Sequence, residues 1–405
     1  MKFKFFIAAL LIISGSMMQA QNYGNLSGRN SGLNVITTAV PFLMIAPDAR
    51  AGSMGDAGVS SEPDVYSMHW NPAKFAEIKS DLSIGLAYSP WLRNLVPDIN
   101  LAYVAGAKRI DDMSTVAASL RFFTLGDIFF TNDGITGVYY RPSEWAFDAT
   151  YARKLTDNLS GAVAGRFIYS NLTLGQNVQG AETTAGISVA ADVAVYWQKN
   201  VNWFSDIGSN FAWGINISNI GNKMGYSKSS IKKDFIPTNL KMGPTLTLEL
   251  DDYNKMAFSI DINKLLVPSP PRILLDSNAR PILDNSGNFI IQDGKSNEVS
   301  VVGGMLQSFY DAPDGFGEEM RELSFSVGTE YWYNDVFALR GGFFYEDQTK
   351  GNRKFFTLGA GLKYSVFGLD FSYLIPVDSR NNPLQNTLRF ALTFDFDAYA
   401  SANKK

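Results

Sequence analysis

The sequence predicts an all-β protein, a fourteen-stranded antiparallel transmembrane β-barrel with an N-terminal plug, and three observations carry that prediction. The chain opens on an export signal, yet no later stretch approaches the ~20 apolar residues of a membrane helix. Period-two alternation of large apolar residues recurs along the rest of the chain, as lipid-facing strands require. The links between those segments alternate short and long, which is how barrel strands are joined.

Composition agrees and excludes much else. Of the 405 residues 13% are aromatic and only 18% charged, against ~25% in ordinary soluble domains. Cysteine is absent and His69 is the lone histidine, so thiolate sites, cysteine nucleophiles and two-histidine metal centres are excluded and no cofactor is expected. A net charge of −4 without a basic stripe leaves no footprint for nucleic acid.

In chain order, residues 1–20 read as a signal peptide: Lys2 and Lys4 precede the apolar run Phe5 to Ile13, and Met18-Gln19-Ala20 offers a cleavage site. Residues 21–80 lack alternation and are rich in Gly, Pro, Asp and Ser, yet Phe42, Leu43, Met44, Ile45, Trp70 and Phe75 are too apolar for a disordered tail. A folded plug is the expectation, and small residues such as Ala51, Gly52, Gly55 and Gly58 allow it close backbone packing.

The barrel is expected over 81–396, with strands near 82–88, 99–107, 115–123, 145–155, 161–171, 183–197, 211–219, 240–250, 255–262, 321–331, 335–345, 354–366, 368–375 and 386–396. The last is the clearest. Leu388, Phe390, Leu392, Phe394 and Phe396 hold one face, while Arg389, Ala391, Thr393 and Asp395 hold the other. A weak segment at 298–306 is either a strand or a loop, and the link 198–210 is long for its place in the alternation. Residues 397–405 form a polar tail.

With both termini periplasmic, the even-to-odd links are periplasmic turns and the odd-to-even links face outward, the longest at about 263–320. On the inward parity stand Arg121, Asp148, Arg166, Asp192, Asp261, Glu330, Arg340, Lys363, Asp370 and Arg389, five of each sign. Such balance suits an internal salt-bridge network, whereas an ion-selective pore would carry one sign in excess. The inward face reads as wet, so Asp at Ala391 is expected to do less harm than Asp at Phe390. The apolar run Leu265-Leu266-Val267-Pro268-Ser269-Pro270-Pro271 in the longest loop reads as an exposed, proline-stiffened partner contact, the alternative being a fold back over the barrel mouth.

The stretch PDARAGSMGDAG followed by HWNPAKFA resembles the hatch of the long-chain fatty-acid transporter superfamily, and more closely the PorV family of the type IX secretion system. RPSEWAFD, NISNIGNKMGY, NKLLVPSPP, EYWYNDVFALRGGFFYE, KGNRKFFTLG and NPLQNTLRFALTF extend the resemblance over almost the whole mature chain. It implies a fourteen-stranded outer-membrane barrel, surrounded by lipid, with no enzymatic chemistry. Its implied role is to dock beside the SprA (Sov) translocon barrel, bind the C-terminal signal domain of cargo, and pass the cargo to the attachment complex containing PorU. The matching motifs place the plug at Pro47, Asp48, Arg50, Gly52, Gly55, Asp56, Gly58, His69, Trp70, Asn71 and Pro72. They make Leu265 to Pro271, Lys350, Asn352 and Arg353, and 376–386, candidate partner loops.

Two other functions fit parts of the sequence. Transport of a hydrophobic ligand would need a greasy pocket in the barrel, which the charged inward face argues against. A lipid A deacylase would have to use His69 as its base, although a packed structural histidine is the simpler reading.

Overall fold

The computed structural model describes residues 33–92, 98–131, 137–172, 175, 177–178, 181–204, 207–227, 233–278, 280–378 and 382–396. The signal at 1–20, the first part of the 21–80 segment and the tail at 397–405 lie outside the described residues. Fourteen antiparallel strands close into one barrel: β1 (Leu82–Pro90), β2 (Ile99–Arg109), β3 (Ser114–Leu125), β4 (Ser143–Lys154), β5 (Leu159–Asn171), β6 (Gly186–Val201), β7 (Gly208–Gly221), β8 (Asn239–Glu249), β9 (Asn254–Leu265), β10 (Ser324–Tyr333), β11 (Phe337–Tyr345), β12 (Lys354–Tyr364), β13 (Phe367–Pro376) and β14 (Leu388–Phe396). Each pairs with its neighbours in sequence, and β14 closes on β1 with Leu82 opposite Phe396 and Tyr88 opposite Phe390. Closure leaves no unpaired edge, the condition for crossing lipid as a sheet.

Each expected segment holds a barrel strand, with shifted ends. The long link at 198–210 was a misplaced edge: β6 continues to Val201 and β7 begins at Gly208. The weak segment at 298–306 is neither strand nor loop but largely helix α1 (Val301–Gln307), because the Ser300 hydroxyl accepts from Gly303 N and caps its start. One rim has short turns. In the three-residue link 334–336, Asn334 and Asp335 both take positive φ, the sign at the two centre positions of a turn that matches strand twist. The other rim carries the longer connections, the longest at 266–323 with α1 and α2 (Phe316–Arg321).

The faces follow the parity rule outside and depart from it inside. Outward residues such as Ile84, Val104, Phe147, Val193, Leu369 and Phe390 are exposed. The inward face is not wet. Ala87, Ala105, Ala146, Ala162, Ala194, Ala338 and Ala391 are buried, because residues 39–78 run through the barrel and fill it. Ala391 packs in one cluster with Ala49, Val65 and Tyr66 of the plug, so a carboxylate there would meet apolar atoms instead of water, contrary to the expectation.

The path of the plug is a second departure. Asn34 N donates to Thr349 O, and the Asn34 amide donates to Pro270 O and Glu318 Oε1, all on the rim of long connections. The described chain therefore starts at that rim, passes through the barrel and reaches the short-turn rim at Ser80. The end of β14 lies at the short-turn rim, beside the start of β1, while Asn34 lies at the opposite end.

Candidate functional site: a plug keyed to the barrel wall

Short helical turns build the plug, each started by a side chain the sequence supplies. Asp48 caps the turn Ala49–Gly52 by accepting from Ala51 N at 2.9 Å, and its second oxygen accepts from Trp70 Nε1 at 2.6 Å. Asn71 caps Pro72–Glu77 by accepting from Ala73 N, with Pro72 at the first helical position where no N–H is needed. The Asn71 amide donates to Val59 O and to Val195 O on β6, tying plug to plug and plug to wall. Pro47, immediately before the Asp48 cap, is buried. Burial and the nearby Asp64 push the Asp48 carboxyl up to about 6.

Close approach is the first kind of key. Gly55 has φ +68°, and a Cβ on it would overlap the backbone of Phe343; a Cβ on Gly342 of β11 would in turn overlap Met54. Gly55 N also donates to Thr357 Oγ1, whose hydroxyl donates to Ser53 O.

Ion pairs are the second key, and they revise the expected wall network. Arg50 donates through Nε and Nη2 to both oxygens of Glu330, at 2.9 and 2.7 Å, and through Nη1 to Asp64. Glu330 also accepts from Arg340, which reaches on to Asp370, so the row Arg50, Glu330, Arg340, Asp370 joins plug to three strands. Arg389 donates to Gly52 O and to Asp56, both at 3.1 Å. Asp261 accepts from Gly58 N and Val59 N at 2.7 and 2.9 Å. Arg166 pairs with Asp148 and Asp192 entirely within the wall, where a register shift between Ala191 and Val193 brings Asn219 into the cluster. Lys363 and Asp395 pair half-exposed at the short-turn rim. Of the inward charges, Glu330, Asp261 and Arg389 are thus matched by the plug, which parity could not supply.

Among the described residues, Arg121 bonds to no carboxylate. It donates to Leu43 O at 2.6 Å, and its Nη2 lies 2.8 Å from His69 Nδ1. A guanidinium only donates, so Nδ1 accepts and the neutral ring carries its proton on Nε2. Burial and the Arg121 charge hold His69 well below its usual pKa. The acceptor nitrogen of His69 is therefore taken up by the Arg121 guanidinium.

Other partners went unread in the sequence. Lys241, on the inward parity of β8, lies 4.3 Å over the Trp70 ring and donates to Asp56 O; the parity rule could have found it. Asn216 donates to Trp70 O and is likewise inward. Lys74, buried in the plug and lowered to about 8 by burial, donates to Gly58 O and Ser61 Oγ, and no periodicity marks it.

Of the candidate partner loops, the proline-bearing run is covered. Leu266, Val267, Pro268 and Ser269 are buried, with Leu265, Pro270 and Pro271 half-buried, so the proline-bearing run is not the exposed surface its apolar composition suggested. It lies under α1 and α2, where Pro268 packs against Gly304. Lys350 is buried too, donating to Glu318 and Glu322 of the same connection. Asn352 and Arg353 are exposed, and Arg353 makes a two-pronged pair with Glu346.

No curated protein matches the chain. Among solved structures, the toluene transporter TodX of P. putida aligns with a TM-score of 0.48 at 11% identity, covering 91% of this chain and 100% of that one. The Ralstonia pickettii toluene transporter TbuX aligns with a TM-score of 0.43 at 12% identity, over 90% and 99%. A Pseudomonas aeruginosa FadL homologue gives 0.41 at 11% identity, over 89% and 99%. The family model described as "Type IX secretion system protein PorV" matches residues 28–272, more than half of the sequence, and the chain accordingly belongs to the PorV family of outer-membrane β-barrel proteins.

Proposed function

We propose that this protein is the outer-membrane component of type IX secretion that docks on the SprA translocon, binds the C-terminal signal domain of cargo and delivers it to the PorU-containing attachment complex. The family match carries this reading. The keyed plug supports it, because a filled barrel suits a carrier that works at its rim more than a conduit. In this reading the leader at 1–20 is removed on export, the short turns face the periplasm and the long connections face outward. Asn352, Arg353, Val377 and Pro383 on the long-connection rim offer the partner surface.

Transport of a hydrophobic ligand fits less well. A cavity of about 410 Å³ opens at the short-turn rim and is lined by charged groups including Arg50, Glu62, Lys79, Lys255 and Asp395. An apolar solute would gain little there.

Co-purification tests the proposal. From outer membranes solubilised in mild detergent, the tagged chain should retain a giant barrel and proteins sharing one C-terminal domain. Recovery of a bound fatty acid with neither of these would sink it.

A further inference from the structure

The longest connection, 266–323, exposes an apolar face that the secretion reading does not use. On α1 and the turn after it, Val302 and Leu306 are each 64% exposed, Phe309 50% and Tyr310 59%. Val302 and Leu306 stand one turn apart on α1, and Phe309 and Tyr310 follow in the turn after it. The opposite side is packed, with Gly304 against Phe235 and Pro268. The exposed side is therefore a built surface, not a frayed loop.

Its position follows from Lys264. On β9 the lipid-facing parity runs through Phe258, Ile260 and Ile262, and Lys264 is next on the same parity, opposite Leu240. A lysine there is buried because the connection covers it: Glu319 and Glu322 accept from its Nζ at 3.0 and 2.7 Å, and the Phe309 ring lies 5.6 Å away. Glu322 also holds Lys350 and Ser269, while Glu319 accepts from Asp311 N and Ala312 N. These bonds fix Phe309 outside the wall, directly beyond the apolar band of β9.

We propose that α1 and its following turn lie in the outer-leaflet interface, with Val302, Leu306, Phe309 and Tyr310 inserted at the boundary between headgroups and acyl chains. The surface is continuous with the barrel's lipid belt, and aromatic rings beside lysines are what such a boundary selects. Lys295, with Nζ 3.7 Å over the Tyr310 ring, supplies a cation at headgroup level. Such a skirt would fix the tilt of the long-connection rim relative to the membrane.

The chain lacks cysteine, so one engineered thiol reports cleanly. Leu306→Cys in the full-length protein is labelled with a nitrobenzoxadiazole probe and reconstituted in dioleoylphosphatidylcholine vesicles, with or without lipid bearing a nitroxide near the headgroup end of its chain. Phe390→Cys in the lipid belt and Ser286→Cys at an exposed hairpin tip serve as references, and heat-modifiable migration checks folding. The nitroxide should cut emission at Leu306→Cys by about twofold or more, as at Phe390→Cys, with little change at Ser286→Cys. Val302→Cys should repeat the result. Folded protein whose probes at both helix positions behave like the one at Ser286→Cys overturns the proposal and assigns the face to a protein partner.

Discussion

Asp48 shows how far one side chain can depend on its surroundings. Burial holds its carboxyl near 6, above the ordinary 3.8, so folding takes up a proton between those values. Its effect on stability is therefore neutral below the unfolded value, increasingly unfavourable as pH rises from about 4 to 6, and constant above, reaching about 3 kcal/mol. Thermal unfolding of wild type and Asp48→Asn from pH 4 to 7 should show the difference between them shifting in favour of the variant as pH rises; a pH-independent difference would contradict the shift. Arg389 poses the complementary case. Arg389→Ala leaves Asp56 without its charged partner and should cost about 3 kcal/mol, with Arg389→Lys restoring part of it. Equal unfolding midpoints for wild type and Arg389→Ala would show that this pair does not hold the plug.

Among the elements, β14 best separates the two faces of the wall. Phe390 faces lipid between Tyr88 and Phe371, so Phe390→Asp should destabilise the barrel by up to ~2 kcal/mol, somewhat below the ~2–4 kcal/mol of a basic residue at mid-bilayer. Ala391→Asp places an unpaired carboxylate against the plug and should be at least as harmful. Heat-modifiable migration across a urea series ranks them, and an innocuous Ala391→Asp would mean that this part of the inner face is hydrated. The long connection gives a parallel test. Glu322→Ala removes one of the two carboxylates that hold each of Lys264 and Lys350, and limited proteolysis should then cut within 266–323 while sparing the barrel. Unchanged cleavage would show that other contacts anchor the loop.

For the whole molecule, the question is whether the barrel works closed. The Ser60 and Thr245 hydroxyls lie 2.8 Å apart across the boundary between plug and wall. Ser60→Cys with Thr245→Cys can therefore form a disulfide that locks the plug, provided the Cβ separation fits. If cargo is handled at the rim, the oxidised variant should release cargo within about twofold of its reduced form, since rim contacts alone set that affinity. Loss of release on oxidation, restored by reductant, would mean that the plug must move.

What the sequence determined by itself was the outer wall. Alternation over some ten residues has one solution in lipid, so Leu388 to Phe396 could be read as a closing strand without a partner in view. That a short turn joins β10 to β11 was legible as well, because turn chemistry is local, although the strand expected from 335 begins only at Phe337. The tertiary structure decided what occupies the inside. Parity marked Arg389, Glu330 and Asp261 as inward, but it could not say that Asp56, Arg50 and the Gly58 and Val59 amides would meet them, because those contacts span 200 to more than 300 residues. The apolar composition of Leu266 and Val267 suggested an exposed contact, when α1 and α2 cover them and the connection displays Leu306 and Phe309 instead. A side chain's face within a strand is set by backbone geometry and is local, whereas the group that covers it depends on where distant chain returns.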